Sequence, residues 1–209
     1  MLVSPPSHIV KNDPDPIEAF GLLIKKGFFD APTCQQIVME MRSGQGKPAT
    51  VYGRDPSGAV DERVRKAIRY TLSRETVENV KGRLWACQKE FEDFFKVRLS
   101  SCEEPHFIRY RVGDFFVAHQ DGNTGMLRLD QEARRVSVTI FLNRHSDAPE
   151  DDTYRGGSLV FHDWRSGQIN KELGLEGELG LMVAFRSETT HEVTPVIFGE
   201  RYSIACWFR

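Results

Sequence analysis

The chain has 209 residues, 28% of them charged, and a formal net charge of -2. That length suits one domain with a sizeable core, whereas two halves would each be marginal. Without a basic excess the chain lacks the cation density that neutralises phosphates, so no nucleic-acid partner is expected. No stretch approaches the roughly 18 uninterrupted apolar residues of a membrane span, and the opening MLVSPPSHIVKNDPDP has no basic stretch leading into an apolar run. Neither a membrane anchor nor secretion is expected. Cys34, Cys87, Cys102 and Cys206 show no CxxC spacing and read as reduced, buried thiols, which favours a cytoplasmic setting.

The N-terminal part, about residues 1–100, reads as mostly helical support. Asp30 before Ala31-Pro32 has the chemistry of a helix start, because a carboxylate caps free amides and proline fits the first turn; the helix is expected to run to about Arg42. GQGKPATVYGRDPSG, from Gly44 to Gly58, is rich in turn formers and predicts a loop or short strand. Ser73 is placed to cap a second, long helix, whose Val77, Val80, Leu84, Cys87, Phe91 and Phe94 recur at steps of three and four. The stripe is expected to pack on the protein's own sheet rather than on a coiled-coil partner.

Beyond Glu104 the pattern changes to PHFIRYRV, DFFVAHQD, RRVSVTIFLN, GGSLVFHD, GELGLMVAF, THEVTPVI and ERYSIACWFR, separated by Gly, Asp, Asn or Pro. Seven or eight short strands there predict a sandwich or barrel of the jelly-roll kind, with the helices outside it. The fold class is therefore mainly β with flanking N-terminal helices, in one domain spanning 1–209, with 102–209 as its β core.

His119 and Asp121 are two residues apart in an extended stretch, so their side chains leave one face of a strand. His191 opens another strand-like segment. Two histidines and a carboxylate are the facial set that holds iron(II) with positions left open. An HxD triplet recurs by chance, so its weight comes from what surrounds it. Arg201 and Ser203 share a face of a later strand, and an arginine fork suits the distal carboxylate of a metal-chelating dicarboxylate. Tyr110 is a further hydrogen-bond candidate.

FIRYRVGDFFVAHQDG, RVSVTIFLN, GGSLVFHD and GLMVAFRSETTHEVTPVIFGERYSIACWF together resemble the catalytic domain of the iron(II)/2-oxoglutarate dioxygenases of the prolyl 4-hydroxylase type, over about residues 102–209. The resemblance implies a double-stranded β-helix in which His119, Asp121 and His191 bind iron, Arg201 pairs with the far carboxylate of 2-oxoglutarate, and Ser203 and Tyr110 help to hold that end. Gly156-Gly157 would open the strand carrying Leu159 and Phe161, and Thr189-Thr190 would lead into the distal histidine. It further implies Fe(II), with 2-oxoglutarate and O2 as cosubstrates and ascorbate as an auxiliary to be tried. The reaction would hydroxylate an unactivated C–H bond, with release of succinate and CO2. Collagen-modifying members usually place lysine where Arg201 stands, and many relatives place tyrosine where Phe116 stands. The first difference keeps the charge and argues against a collagen enzyme; the second shifts a hydroxyl's work onto Tyr110. Retention of Asp121 favours hydroxylation over halogenation.

The substrate is expected to be a small molecule or a peptidyl residue, such as a prolyl residue, a free amino acid or a small metabolite, acted on by a monomer or homodimer. Asn123, Thr124 and Arg128 follow the metal strand, and Trp164 and Arg165 follow GGSLVFHD, so these are candidate substrate contacts. Two segments are candidate covers: Asn143–Arg155, polar and acidic, and Val51–Tyr70, with Tyr52 and Arg54. His162 beside Asp163 suits a hydrogen-bonding rim better than a fourth ligand. A cupin-like metal-binding isomerase or a noncatalytic binding protein is the competing reading, but neither has need of Arg201.

Overall fold

The structure, a computed structural model, describes residues 15–51, 59–122, 133–163 and 171–209. Its elements in chain order are α1 (Pro16–Ala19), β1 (Leu23–Lys25), α2 (Ala31–Ser43), β2 (Gly46–Pro48), β3 (Arg65–Lys66), β4 (Ile68–Tyr70), α3 (Arg74–Trp85) and α4 (Gln88–Phe95). There follow β5 (His106–Tyr110), β6 (Phe115–His119), β7 (Val136–Phe141), β8 (Tyr154–Gly156), β9 (Leu159–Asp163), β10 (Lys171–Leu175), β11 (Met182–Arg186), β12 (Thr190–Val193), β13 (Val196–Gly199) and β14 (Arg201–Phe208). None of these helices is long and apolar enough to cross a membrane.

The start of α2 is set as its sequence suggests: the Asp30 carboxylate accepts from Thr33 N at 3.0 Å, with proline in the first turn. Cys34, Ile37, Val38 and Met41 form its buried face. The single long helix expected after Ser73 is instead two. Ser73 caps α3, but Cys87 N bonds to Leu84 O at 2.9 Å, a tighter turn that shifts the register before α4 begins. Phe91, beyond that turn, is buried as expected, but the face then continues through Phe95, 2% exposed, and Phe94, expected on the apolar face, is 46% exposed.

Ten described strands follow residue 104, rather than seven or eight, because THEVTPVI divides at Pro195 and because β8 and β10 are additional. Proline cannot donate to a ladder, which accounts for the division. The N-terminal part is also less purely helical than expected. It contributes β1, β2 and β4 to a seven-stranded sheet ordered β1-β11-β7-β14-β5-β4-β2, and β3 to a five-stranded sheet ordered β10-β9-β12-β6-β3; β13 and β8 pair separately.

All pairings between these strands are antiparallel. The two larger sheets face each other across a cavity, and β14 shows how the seven-stranded one is divided. Tyr202, Ile204, Cys206 and Phe208 join the core formed with α2, α3 and α4, whereas Arg201, Ser203, Ala205 and Trp207 line the cavity. This is the period-two alternation of a strand. Phe208 meets Trp85 in a stacked pair with centroids 6.2 Å apart and Phe91 edge-on at 5.2 Å. Burying one such ring contributes about 1.5–3 kcal/mol, so the helices hold the outer face of this sheet. A second core, including Leu22, Phe141, Phe161 and Phe185, joins β7, β9 and β11.

Candidate active site

β6 and β12 are antiparallel neighbours with His119 directly opposite His191, so both imidazoles leave the same face. Their ring centroids are 4.2 Å apart. β6 ends at His119, so Asp121 converges with it through the bend that follows and not as a strand neighbour. That bend is held by Gly122 N donating to Ser187 O at 2.8 Å. A Cβ on Gly122 would come within 2.9 Å of Arg134 O, so the approach requires glycine. The carboxylate stands 3.6 Å from His119 Nε2 and 3.5 Å from His191 Nε2. One ligating atom from each of the three residues lies within 4.8 Å of the others.

Each side chain is oriented before any ion arrives. His119 Nδ1 lies 2.9 Å from Val117 O, and His191 Nδ1 lies 2.9 Å from Thr189 O. A carbonyl only accepts, so Nδ1 carries the proton in both rings and Nε2 presents a lone pair to the centre. Ser137 Oγ donates to Asp121 Oδ2 at 2.8 Å, and the Ser187 hydroxyl, 2.9 Å from Ser137 Oγ, donates to it in turn. Gln120 Nε2 donates to Thr190 Oγ1 at 3.0 Å, which ties the two ligand strands together. Burial first, and then the charge of His119, push the His191 imidazole down to about 4, so it is neutral and ready to ligate at neutral pH. Burial opposes ionisation of Asp121, but His191, His119 and a hydrogen bond from Trp207 outweigh it and hold the carboxyl below the usual carboxylate range.

At the other end of the cavity Arg201 is 1% exposed. Its guanidinium lies between aromatic contacts, 4.8 Å from the Phe141 ring centroid and 5.2 Å from that of Tyr110. Arg201 pairs with Tyr110 across β14 and β5, and Ser203 pairs with Phe141 across β14 and β7. Nη1 donates to Ser203 Oγ at 2.9 Å, while Nε and Nη2 are buried without a partner. Gly157, at φ +60°, leaves the space: a Cβ there would lie 3.0 Å from Arg201 Cδ. Among the described residues no carboxylate pairs with Arg201. A buried cation with open donors is suited to an incoming anion.

The triad, Arg201, Ser203 and Tyr110 all line one cavity of about 160 Å³, with Leu159, Phe185 and Val193 as apolar wall. Phe116 stacks on His119, centroids 3.6 Å apart. Two further lining residues, His106 and Arg65, were not singled out in the sequence, although His106 shares the inward strand face of Tyr110. His106 is pushed down to about 3 by burial first and then by Arg69, Arg65 and Arg134, so the wall presents a neutral imidazole. Arg65 arrives from β3, inside the segment Val51–Tyr70 expected as a cover, and Thr50, Val51 and Val64 line the cavity with it.

Other expectations fare differently. Tyr52, Arg54, Asn123, Thr124, Arg128, Trp164 and Arg165 lie outside the described residues. The segment Asn143–Arg155 supplies no lining to this cavity; Asn143, Arg144 and Asp151 to Thr153 border a separate hollow of about 310 Å³ instead. Asn143 explains why: its amide donates to Asp152 O at 3.1 Å and Glu200 O at 2.8 Å and accepts from Tyr202 N at 2.9 Å, clasping the segment to β14. His162 is not among the three clustered ligands; it pairs with Thr190 across β9 and β12 and stands 3.2 Å from Glu172 and 3.5 Å from Glu192.

Comparison with known proteins agrees with this geometry. A PKHD-type hydroxylase of Shewanella sp. (strain ANA-3) is 36% identical over 110 residues, covering 50% of this chain and 42% of that protein. The chain thus spans less than half the length of that relative. Among solved structures, a Pseudomonas putida prolyl-4-hydroxylase superposes with a TM-score of 0.68 at 24% identity, covering 92% of this chain and 94% of the other. A Trichoplax adhaerens prolyl hydroxylase, solved with a hypoxia inducible factor oxygen degradation domain peptide fragment, gives 0.66 at 16% identity, covering 92% and 84%. These likenesses establish the double-stranded β-helix. Residues 105–209, half of the chain and the part that carries the triad and Arg201, match the family profile of the 2OG-Fe(II) oxygenase superfamily, and the chain belongs to that superfamily.

Proposed function

We propose that this protein is an Fe(II)- and 2-oxoglutarate-dependent oxygenase that hydroxylates an unactivated C–H bond of an organic substrate. The balance is R–H, O2 and 2-oxoglutarate to R–OH, succinate and CO2. The observation that carries it is one cavity with a three-ligand metal set at one end and, at the other, a buried guanidinium with two open donors and no carboxylate partner among the described residues. His119, Asp121 and His191 would hold iron(II), a set that leaves coordination positions open. Arg201 would pair with the distal carboxylate of 2-oxoglutarate, with Ser203 fixing the arginine and Tyr110 covering it. The bound metal and keto acid supply oxygen activation; the chain supplies orientation and a wall that excludes water. No side chain need act as a general base for hydrogen abstraction.

The hydroxylase relative and the prolyl hydroxylase structures support a prolyl residue as one substrate candidate, beside free amino acids and small metabolites. Ascorbate is an auxiliary to be tried in the assay. The test is an anaerobic titration of the metal-free protein with iron(II) and then 2-oxoglutarate, followed by visible absorption. A saturable charge-transfer band is expected. Arg201→Ala is expected to weaken 2-oxoglutarate binding about 10- to 100-fold, the loss of hydrogen bonds to a charged group. A folded protein with neither band nor cosubstrate binding would instead point to a cupin-like isomerase or a binding protein.

A further inference from the structure

The cavity holds a second arginine with open donors. Arg65 pairs with Phe116 across β3 and β6 and is 8% exposed. Its guanidinium carbon lies 4.6 Å from the Phe116 ring centroid, and that same ring stacks on His119. Among the described residues Nη1 reaches Thr50 O, at 3.3 Å, and Nε is buried without a partner. Nearby cations are treated otherwise: Arg134 is gripped by both oxygens of Glu103 at 2.7 Å, Arg109 is 3.5 Å from Glu200, and Lys66 is 3.6 Å from Asp114. Among the described residues no carboxylate pairs with Arg65.

Enclosing a cation without a counter-charge is costly, and the cost is offset where an anion completes the site. Arg201 shows the same pattern at the opposite end of the cavity, so the chain leaves two anion seats rather than one. A dicarboxylate cosubstrate that chelates metal has one distal carboxylate, and Arg201 takes it. Arg65 is then left for the other reactant. We propose that Arg65 receives a carboxylate of the substrate, and that the protein acts on anionic substrates. This rests on the oxygenase reading above.

β3 is bonded to the strand that ends in His119, so an anion seated on Arg65 is anchored at a fixed offset from the metal ligands. Such an anchor sets which C–H bond faces the centre. A neutral substrate would fill the cavity while leaving Arg65 buried and unpaired, which is how a polar site rejects an analogue lacking the matching group. The carboxylate has two sources, a small free acid or an acidic side chain in a peptide.

The test uses the whole chain loaded with zinc(II), with its arginine side chains labelled with 15N and the Arg65 and Arg201 Nε–H signals assigned through Arg65→Lys and Arg201→Lys. Adding 2-oxoglutarate first should move the Arg201 signal; if it does not, the cosubstrate reading fails. With 2-oxoglutarate bound, N-acetylglycine and a blocked Gly-Asp-Gly peptide are titrated separately, each beside its carboxamide counterpart. A saturable shift of Arg65 Nε–H with an acid and not with its amide is expected, and the acid that gives it identifies the source. Movement of Arg201 with 2-oxoglutarate, together with an Arg65 signal that ignores both acids or answers acid and amide alike, would overturn this inference and leave the cosubstrate reading intact.

Discussion

The two ends of the cavity are prepared for their ligands in opposite ways. At the triad every group is satisfied in advance: both Nδ1 atoms bond to backbone carbonyls, and Asp121 accepts from Ser137, backed by Ser187. At Arg201 the aromatic packing is complete but two donors are left open. The metal end is an arrangement of lone pairs whose aim matters, and hydrogen bonds supply aim. The arginine end is a charge whose worth depends on being kept out of water, and burial supplies that.

Three substitutions bear on this contrast. The largest effect is expected from His191→Ala, which removes a ligand for which no other described side chain is placed to substitute. Iron-dependent succinate formation should fall on the order of a thousandfold or more, with the apo protein still folded by circular dichroism; retained turnover would remove His191 from the ligand set. Next is Ser137→Ala, which touches no metal but frees an Asp121 oxygen. Metal affinity should weaken about 10- to 100-fold, as is usual when a ligand loses its supporting hydrogen bond, and unchanged affinity by competition titration would show that the aim of the carboxylate does not matter. The smallest effect is the most diagnostic. Arg201→Met keeps the bulk between Tyr110 and Phe141 while removing an unpaired buried charge, so the apo protein should gain about 1–3 kcal/mol and unfold a few degrees higher. A lower melting temperature would mean that the guanidinium is already satisfied.

The sequence made one side of this contrast more legible than the other. His119, His191, Arg201 and Ser203 lie in short stretches whose local alternation and spacing place them, Asp121 joins them through a bend rather than the strand alternation expected of it, and the structure gathers all five at the cavity. His106 shares the inward face of β5 with Ile108 and Tyr110, so period two could have found it; Arg65 was not legible, because what brings it to the cavity is the pairing of β3 with β6, strands far apart in the chain. No local period marks such a residue. The helical part failed in another way: steps of three and four run unbroken through Cys87, where the structure tightens one turn and starts a second helix, and after Phe91 they admit Phe94 and Phe95 alike, of which the structure buries Phe95. Apolar periodicity reports that a face exists and is blind to a single change of hydrogen-bond register within it.

The alternation along β14 has a consequence for how such a protein changes over generations. Consecutive residues answer to different demands, one set to the helices and the other to the chamber. Ala205 can therefore drift toward a new chemistry while Ile204 and Cys206 continue to satisfy the old architecture, and Trp207 stays tied to Asp121. Insertion of one residue would exchange the two sets at a stroke. The strand is free to vary in side chain and bound in length, and new specificities in this lineage are expected to arise by substitution along it rather than by resizing it.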